Sequence, residues 1–194
     1  VVDPHTGGVL AIANEPTFAP GEYAAVTSNE VYVNGAVSSL FTPGTSFQPL
    51  TLALALNSRV IRADETYDDR GELTVGRQQV TNADREAHGL TTWPKMLAGS
   101  YNVGAAHVAV LLGPTRFYEG LRSLGFGAKT DIDLPHEAPG IMWVPTDSLW
   151  NLFYLATNSF GKDISTTPLQ VTMAYAALAN DGLLMRPYVV SQLR

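Results

Sequence analysis

The stretch that most restricts the fold is "FTPGTSFQPLTLALALN", residues 41–57, in which a Pro-Gly turn precedes the apolar run "PLTLALALN". This run predicts a buried helix that ends near Asn57. Two hydroxyls, Thr45 and Ser46, stand at the mouth of that helix. Unpaired backbone N–H groups at a helix N-terminus favour either a nucleophilic oxygen or an ordinary N-cap. The helix start is therefore the first place to look for chemistry.

The composition allows a sizeable core, because 45% of the 194 residues are hydrophobic and only 15% are charged. Such a chain can fold as one domain or as two closely packed subdomains. The formal net charge is -6 and the basic residues are scattered, which argues against a nucleic-acid-binding or anionic-membrane surface. The absence of cysteine excludes structural disulfides, thiolate metal sites and cysteine nucleophiles.

The two ends of the chain and its middle predict extended or irregular structure. "VVDPHTGGVLAIA" predicts a hairpin whose second, continuously apolar strand is central in a sheet. Residues 14–39 read as irregular surface chain, residues 58–90 as peripheral loops with short strands, and "LLMRPYVVSQLR" as a last strand. No stretch predicts a membrane anchor or signal peptide, and a start at Val1 indicates a mature or excised segment.

Four further segments carry helix signals, two of them with clear start residues. "TTWPKMLAGS" begins with Thr92 as cap and Pro94 in the first turn, and it is expected to end near Ser100. "TPLQVTMAYAALANDG" has Thr167 as N-cap and Pro168 at the first helical position. The other two helices are "VGAAHVAVLLG" and "PTRFYEGLRSLG". In "SLWNLFYLATN", the aromatic residues at 150, 153 and 154 share a spacing typical of a core face.

Five segments, in order and with sensible spacing, resemble one known family. They are "VVDPHTGGVLAIA", "TPGTSFQP", "SYNVG", "LGFGAKTDIDLPHE" and "STTPLQVTMAYAALANDGLLMRP". Together they are similar to the transpeptidase domain of class B penicillin-binding proteins, related to serine β-lactamases, over almost the whole chain. The resemblance implies one mixed α/β (α+β) domain over residues 1–194, with an antiparallel sheet flanked by helices and a helical subdomain. It also implies cross-linking of peptidoglycan stem peptides through an acyl-enzyme, and binding of β-lactams at the same serine.

The family places three motifs around its cleft, namely S-x-x-K, S-x-N and K-[ST]-G. By resemblance, the nucleophile position falls on Thr45 and the lysine position on Gln48, so both depart from the family pattern. A glutamine amide forms hydrogen bonds but does not titrate near neutral pH, so Gln48 cannot act as the base. Loss of a positioned general base costs about 10²- to 10⁴-fold in rate. We expect Gln48 to stand in for the lysine by hydrogen bonding alone.

The second motif is present as Ser100, Tyr101 and Asn102, with Ser100 implied as a proton relay and Asn102 as a substrate contact. The third motif is not found, because Lys129 and Thr130 lie in a stretch that the family also forms as a loop. The resemblance places it beyond residue 194, together with C-terminal strands that complete the sheet. Those strands could come from another chain, could lie past a boundary of this segment, or the sheet edge could be protected otherwise.

The remaining polar residues fit structural roles better than metal or cofactor sites. Four histidines, at positions 5, 88, 107 and 136, lack metal-ligand spacing. The acidic residues Asp131, Asp133 and Glu137 could suggest paired carboxylates or a Ca²⁺ loop, yet they match a loop of the family, with His136 in place of a glycine. No cofactor is predicted.

Three hypotheses follow for the function. The first is a catalytically degenerate transpeptidase-like domain that serves as a binding or scaffold module of cell-wall synthesis. The second is an acyltransferase or carboxypeptidase in which Thr45 still accepts the acyl group and Ser100 relays the proton. The third is an engineered inactivation, which predicts Ser and Lys at positions 45 and 48 of the parent gene. By resemblance, the partners are stem peptides, β-lactams or division proteins, outside the cytoplasm, with membrane attachment only through an anchor outside this chain.

Overall fold

The computed structural model describes residues 1–192, which form two compact units. The first unit combines Val1–Phe41, Leu124–Gly140 and the chain from Thr166 onward, and the second combines Thr42–Ser123 with Ile141–Ser165. The α-helices are Gly35–Ser38 (α1), Gln48–Asn57 (α2), Trp93–Gly99 (α3), Asn102–Leu112 (α4), Pro114–Ser123 (α5), Leu152–Asn158 (α6) and Pro168–Ala179 (α7). The β-strands are Thr66–Asp69 (β1), Glu72–Val75 (β2), Gln78–Thr81 (β3) and Gly89–Thr92 (β4). Three 3₁₀ turns are Pro20–Ala25, Asn29–Tyr32 and Gly44–Phe47.

Helix α4 is the centre of the second unit, where it packs against α2, α3, α5 and α6. Its sequence is apolar on nearly every face, so a stable helix there has to be covered on most sides. Ala105, Ala106, Val108 and Ala109 are all fully buried. Small side chains let the neighbouring helices approach closely, and this approach fixes the position of the α4 N-terminus.

The four strands form two separate antiparallel pairs, β1 with β4 and β2 with β3. We predicted short strands in residues 58–90, which is confirmed, but their predicted peripheral position is wrong. Tyr67 is buried and stacks on Trp93 with ring centroids 5.0 Å apart, while Val75 and Val80 join a core cluster with α4 and α6 residues. The sequence did not indicate this burial, because polar residues alternate with apolar ones where one face of a strand is buried and the other is exposed.

Helix α7 organises the first unit and begins with the predicted cap. The Thr167 hydroxyl accepts from the Gln170 backbone N–H, and the Gln170 side chain accepts from the Thr167 N–H, which completes a capping box. The Gln170 amide nitrogen also donates to the carbonyls of Ala128 and Pro139, at 2.8 and 2.9 Å. One buried side chain therefore ties the loop after α5 to the start of α7.

The predicted N-terminal hairpin is present only as single bridges. Val2 pairs with Val9, and Gly8 pairs with Tyr188, but "VLAIA" forms no strand and Leu10 is 69% exposed. The predicted central strand is therefore wrong, because apolar composition alone cannot supply a ladder partner on each side. The predicted last strand is likewise reduced to the bridge at Tyr188, and its final two residues, 193–194, lie outside the described residues.

The remaining helix predictions are confirmed in position. The Thr92 hydroxyl accepts from the Lys95 N–H at the start of α3, and α5 begins at Pro114, as predicted. The aromatic core face is wrong in part, because Trp150 precedes α6 and Phe153 is half-buried. The Trp150 indole N–H instead donates to the Tyr118 hydroxyl at 2.9 Å. Among residues 1–192, none of the helices is both long enough and apolar enough to cross a bilayer.

Candidate functional site

The candidate nucleophile turn lies at the start of α2, in the second unit. Gly44 has a positive φ of 61°, and the chain then forms one 3₁₀ turn that runs directly into α2 at Gln48. Thr45 is exposed, and its hydroxyl makes no hydrogen bond to any residue that the structure describes. A side chain in this position is accessible to a ligand from solvent.

The interpretation of Thr45 and Ser46 as helix caps is wrong. The capping positions are occupied by Pro43 for the 3₁₀ turn and Phe47 for α2, and neither makes a side-chain cap. Instead, the Ser46 hydroxyl donates to the Pro43 carbonyl at 2.7 Å. The reason is that the 3₁₀ turn begins at Gly44, so both hydroxyls lie inside this turn, where a serine can bond back to a preceding carbonyl.

The nucleophile turn is held by a close backbone contact with the chain after α6. The Gly44 N–H donates to the Gly161 carbonyl at 3.1 Å. A Cβ on Gly161 would lie 2.2 Å from the Gly44 carbonyl oxygen, so no side chain fits there. One turn further on, the Thr51 hydroxyl donates to the Ser159 carbonyl at 2.8 Å. These bonds place residue 45 at a fixed position without using its side chain.

Gln48, at the lysine position of the first motif, contacts Asn102, at the asparagine position of the second. Gln48 is only 1% exposed, and its amide nitrogen donates to the Asn102 side-chain oxygen at 3.2 Å. Asn102 in turn approaches the Thr81 carbonyl at 3.5 Å, which is a weak contact. The hydrogen-bonded pair contains no group that titrates near neutral pH, so it can orient a ligand but cannot accept a proton.

Ser100 occupies the turn between α3 and α4. Its backbone is left-handed, with a φ of 53°, and the N–H groups of Ser100 and Tyr101 donate to the carbonyls of Leu97 and Met96. This pattern is the Schellman motif, in which glycine is the usual left-handed residue. The Ser100 hydroxyl makes no hydrogen bond within residues 1–192. Within residues 1–192, no side-chain hydrogen bond therefore links Ser100 or Thr45 to the Gln48–Asn102 pair.

Asn82 supports the site and was missed by sequence reasoning. It is 2% exposed, its side-chain oxygen accepts from the Val103 N–H at 3.0 Å, and its amide donates to both carboxylate oxygens of Asp69. The bond to Val103 satisfies one of the unpaired donors at the start of α4, next to Asn102. The only signal in the sequence was a pair of acid and amide residues in short strands, which is too common to identify such a bridge.

The histidines and acidic residues singled out in the sequence have structural surroundings. His107 stacks near Tyr67 at 5.9 Å, and its burial lowers the pKa of the imidazole below the usual range. Glu137 accepts from the backbone N–H groups of Thr130 and Asp131, which holds the loop that carries Lys129. Within the described residues, no group of three histidine or acidic side chains could hold a metal ion.

Comparisons with known proteins identify the family of the chain. A family model for the penicillin binding protein transpeptidase domain matches residues 1–194. Stage V sporulation protein D of Bacillus subtilis is 32% identical over 193 residues, which make up 98% of this chain and 29% of that protein. Penicillin-binding protein PbpB of Mycolicibacterium smegmatis is 33% identical over 192 residues, or 98% of this chain and 29% of the relative. The chain therefore spans under a third of the length of these relatives.

Solved structures give the same result for the fold. Penicillin-binding protein 3 of Mycobacterium tuberculosis, complexed with ampicillin, superposes with a TM-score of 0.88 at 32% identity. The match covers 97% of this chain and 41% of that one. The mixed α/β architecture with small antiparallel sheets and flanking helices is therefore that of the predicted fold class. The chain belongs to the penicillin-binding-protein transpeptidase domain family.

Proposed function

We propose that this chain is a transpeptidase-like domain of peptidoglycan synthesis that binds its ligands without acylating a nucleophile. The observation that carries the proposal is the buried bond from the Gln48 amide to the Asn102 oxygen, at 3.2 Å. In the family pattern a lysine at position 48 would take the proton of the nucleophile. The amide fills that place, donates to Asn102, and has no proton-accepting lone pair on nitrogen.

The loss of the general base at position 48 lowers the rate of acyl transfer more than it lowers ligand binding. A positioned general base contributes about 10²- to 10⁴-fold to the rate, and the amide of Gln48 supplies none of it. The threonine methyl at position 45 further crowds the approach of an acyl group. The fixed turn at Gly44 and Gly161 does not depend on either side chain, so the ligand-binding surface survives the loss of chemistry.

The proposal extends to the role and location of the domain. A relative in this family is solved with ampicillin bound, so β-lactams are the natural first probes for this chain. The physiological ligand is a peptidoglycan stem peptide, and the setting is extracytoplasmic, with a scaffold role toward cell-wall synthesis or division proteins. Residues 1–194 act as one functional domain in this proposal.

A second candidate function rests on Thr45 itself. Its hydroxyl is exposed, and it has no hydrogen-bond partner among residues 1–192. An accessible threonine on the first turn of a helix can accept an acyl group if another base removes its proton. In this alternative, Ser100 relays the proton and the domain remains a slow D,D-transpeptidase or carboxypeptidase.

A labelled β-lactam separates the two candidates. The full-length protein is incubated with a fluorescent penicillin, and covalent adducts are sought by denaturing electrophoresis and intact mass. We expect no adduct but reversible, competable binding under native conditions. An adduct that maps to Thr45 and disappears in Thr45→Ala establishes the second candidate and overturns the first. The double variant Thr45→Ser with Gln48→Lys is the positive control, since it restores the first motif.

A further inference from the structure

A groove beside Asn102 is cationic, although the chain as a whole is acidic. The groove has a volume of about 320 Å³ and lies between the turn after β3 and the end of α6. Arg85 and Lys162 both line it, and none of the described lining residues is acidic. The formal net charge of the chain is -6, so a groove lined by two cations and no acid differs in charge from the chain as a whole.

Both cations stand on backbone turns that are fixed by hydrogen bonds. The Arg85 N–H donates to the Asn82 carbonyl at 3.1 Å, and the buried Asn82 side chain anchors this turn to the start of α4. The Lys162 N–H donates to the Thr157 carbonyl at 2.9 Å, which closes a Schellman turn at the end of α6. The side chains of Arg85 and Lys162 therefore both extend from backbone turns that hydrogen bonds hold in place at the groove.

Neither cation is paired with an acid in the described part of the chain. The ion pairs there involve Arg62, Arg70 and His88, and not Arg85 or Lys162. The acids adjacent in sequence are Asp84 and Glu86 beside Arg85, and Asp163 beside Lys162, and none of them forms an ion pair with either cation. Asp84 instead contacts His88 and accepts from the Glu86 N–H. Both positive charges are thus available to a ligand.

The floor of the groove is apolar and aromatic. Val80 and Phe160 are buried members of a core cluster, and the half-buried Phe153 packs against the same cluster. Asn102 borders the groove as well, and within residues 1–192 its amide N–H groups make only the long contact to the Thr81 carbonyl. An apolar floor with a few polar groups at its rim is the usual composition of a small-molecule site, and about 320 Å³ lies at the small end of the usual range.

We propose that this groove is a binding site for small carboxylic acids with an apolar stem. The carboxylate pairs with Arg85 and Lys162, the Asn102 amide donates a further hydrogen bond, and the stem lies on Phe153 and Phe160. The site shares Asn102 with the proposed function but does not use Thr45 or Gln48, so it holds whether or not those two residues act. The two positive charges favour an anionic ligand in this groove, whereas the net charge of the chain disfavours anions elsewhere.

The experiment uses two probes that differ only in charge, 4-phenylbutyrate and its neutral amide, 4-phenylbutyramide. Each is titrated into the ¹⁵N-labelled chain at constant ionic strength and followed by amide chemical shifts. We expect the acid to shift signals of residues 79–85, 102 and 157–162, and to bind at least about fivefold more tightly than the amide, the scale of one or two exposed ion pairs. Equal affinity for the two probes, or shifts confined elsewhere, overturns the proposal.

Matched variants test the individual charges. Arg85→Gln and Lys162→Gln are each expected to weaken binding of the acid by about two- to fivefold and to leave the affinity for the amide unchanged. Arg77→Gln removes the same charge from the tip of the β2–β3 hairpin, outside the groove, and is expected to leave both affinities unchanged. An equal effect of Arg77→Gln would mean that only net charge matters, and it would refute the site. Dispersed amide spectra of all variants confirm that the fold is intact.

Discussion

The substitution Asn82→Ala tests whether the β-strand segment supports the candidate site. In the structure, the Asn82 amide donates to the Asp69 carboxylate at 2.9 and 3.1 Å and to the Glu86 carbonyl at 3.1 Å. Its side-chain oxygen accepts from the Val103 N–H at 3.0 Å. A hydrogen bond to a charged group contributes about 1.5–3 kcal/mol, and an unsatisfied buried N–H costs about 1–3 kcal/mol. We therefore expect a loss of about 3–5 kcal/mol in the free energy of unfolding.

The assay is urea unfolding at neutral pH, with the slope of the transition checked for constancy. The control is Asn151→Ala, because Asn151 is an exposed N-cap of α6 whose loss costs about 1 kcal/mol. Asn82→Asp is expected to be worse than Asn82→Ala, because it places two carboxylates in one buried position. If Asn82→Ala lowers the free energy of unfolding no more than Asn151→Ala does, the reasoning is refuted. Residues 58–90 would then be peripheral to the stability of the site.

Three further substitutions test other contacts. Gly161→Ala is expected to cost at least about 2 kcal/mol in thermal or urea unfolding, because its φ is 70° and the new Cβ would meet the Gly44 backbone. Gln48→Met keeps the buried volume but leaves Asn102 without its donor, and should lower the free energy of unfolding by about 1 kcal/mol. Backbone bonds from Val189 and Val190 lower the pKa of Asp133 below its ordinary 3.8. The ionised Asp133 carboxylate therefore stabilises the fold above pH 3.8, and this contribution is lost as the pH falls through the lower pKa of the folded state. The difference in the free energy of unfolding between the wild type and Asp133→Asn should therefore vanish in acid.

Local signals predicted the helices well because their determinants are close in sequence. Thr92 and Thr167 cap α3 and α7 through bonds to residues three positions later. Pro168 stands at the first position of α7, where its missing N–H has no cost. Such interactions can be recognised from a few consecutive letters, and they fix a helix start whatever the rest of the chain does.

Long-range pairing could not be predicted in this way. The run "VLAIA" has strand composition, yet only Val9 makes a bridge, to Val2, and Leu10 remains exposed. The bond from Asn82 to Val103 spans 21 residues and joins a strand end to a helix start. Neither outcome depends on the local sequence, because both are decided by which distant backbone comes alongside.

The candidate site shows the same division between motif and neighbourhood. The resemblance placed the first and second motifs around one cleft, whereas the specific bond between Gln48 and Asn102 was not predicted. The hydrogen bond from Ser46 to the Pro43 carbonyl and the contact between Gly44 and Gly161 were not predicted. Both depend on a 3₁₀ turn that has no recognisable residue pattern. The roles of Thr45, Gln48, Ser100 and Asn102 in binding or chemistry remain predictions.

If Ser100 contacts a ligand as the proposed function has it, its left-handed backbone sets stability against ligand recognition at one residue. A left-handed conformation costs a residue with a Cβ about 1–2 kcal/mol, and glycine avoids that cost. We expect Ser100→Gly to raise the free energy of unfolding by about 1 kcal/mol while it removes the hydroxyl from the cleft, which a melting curve and a β-lactam binding assay measure side by side. With serine at this turn the chain is less stable than it would be with glycine. Selection of variants by melting temperature alone would therefore favour Ser100→Gly and lose the Ser100 hydroxyl.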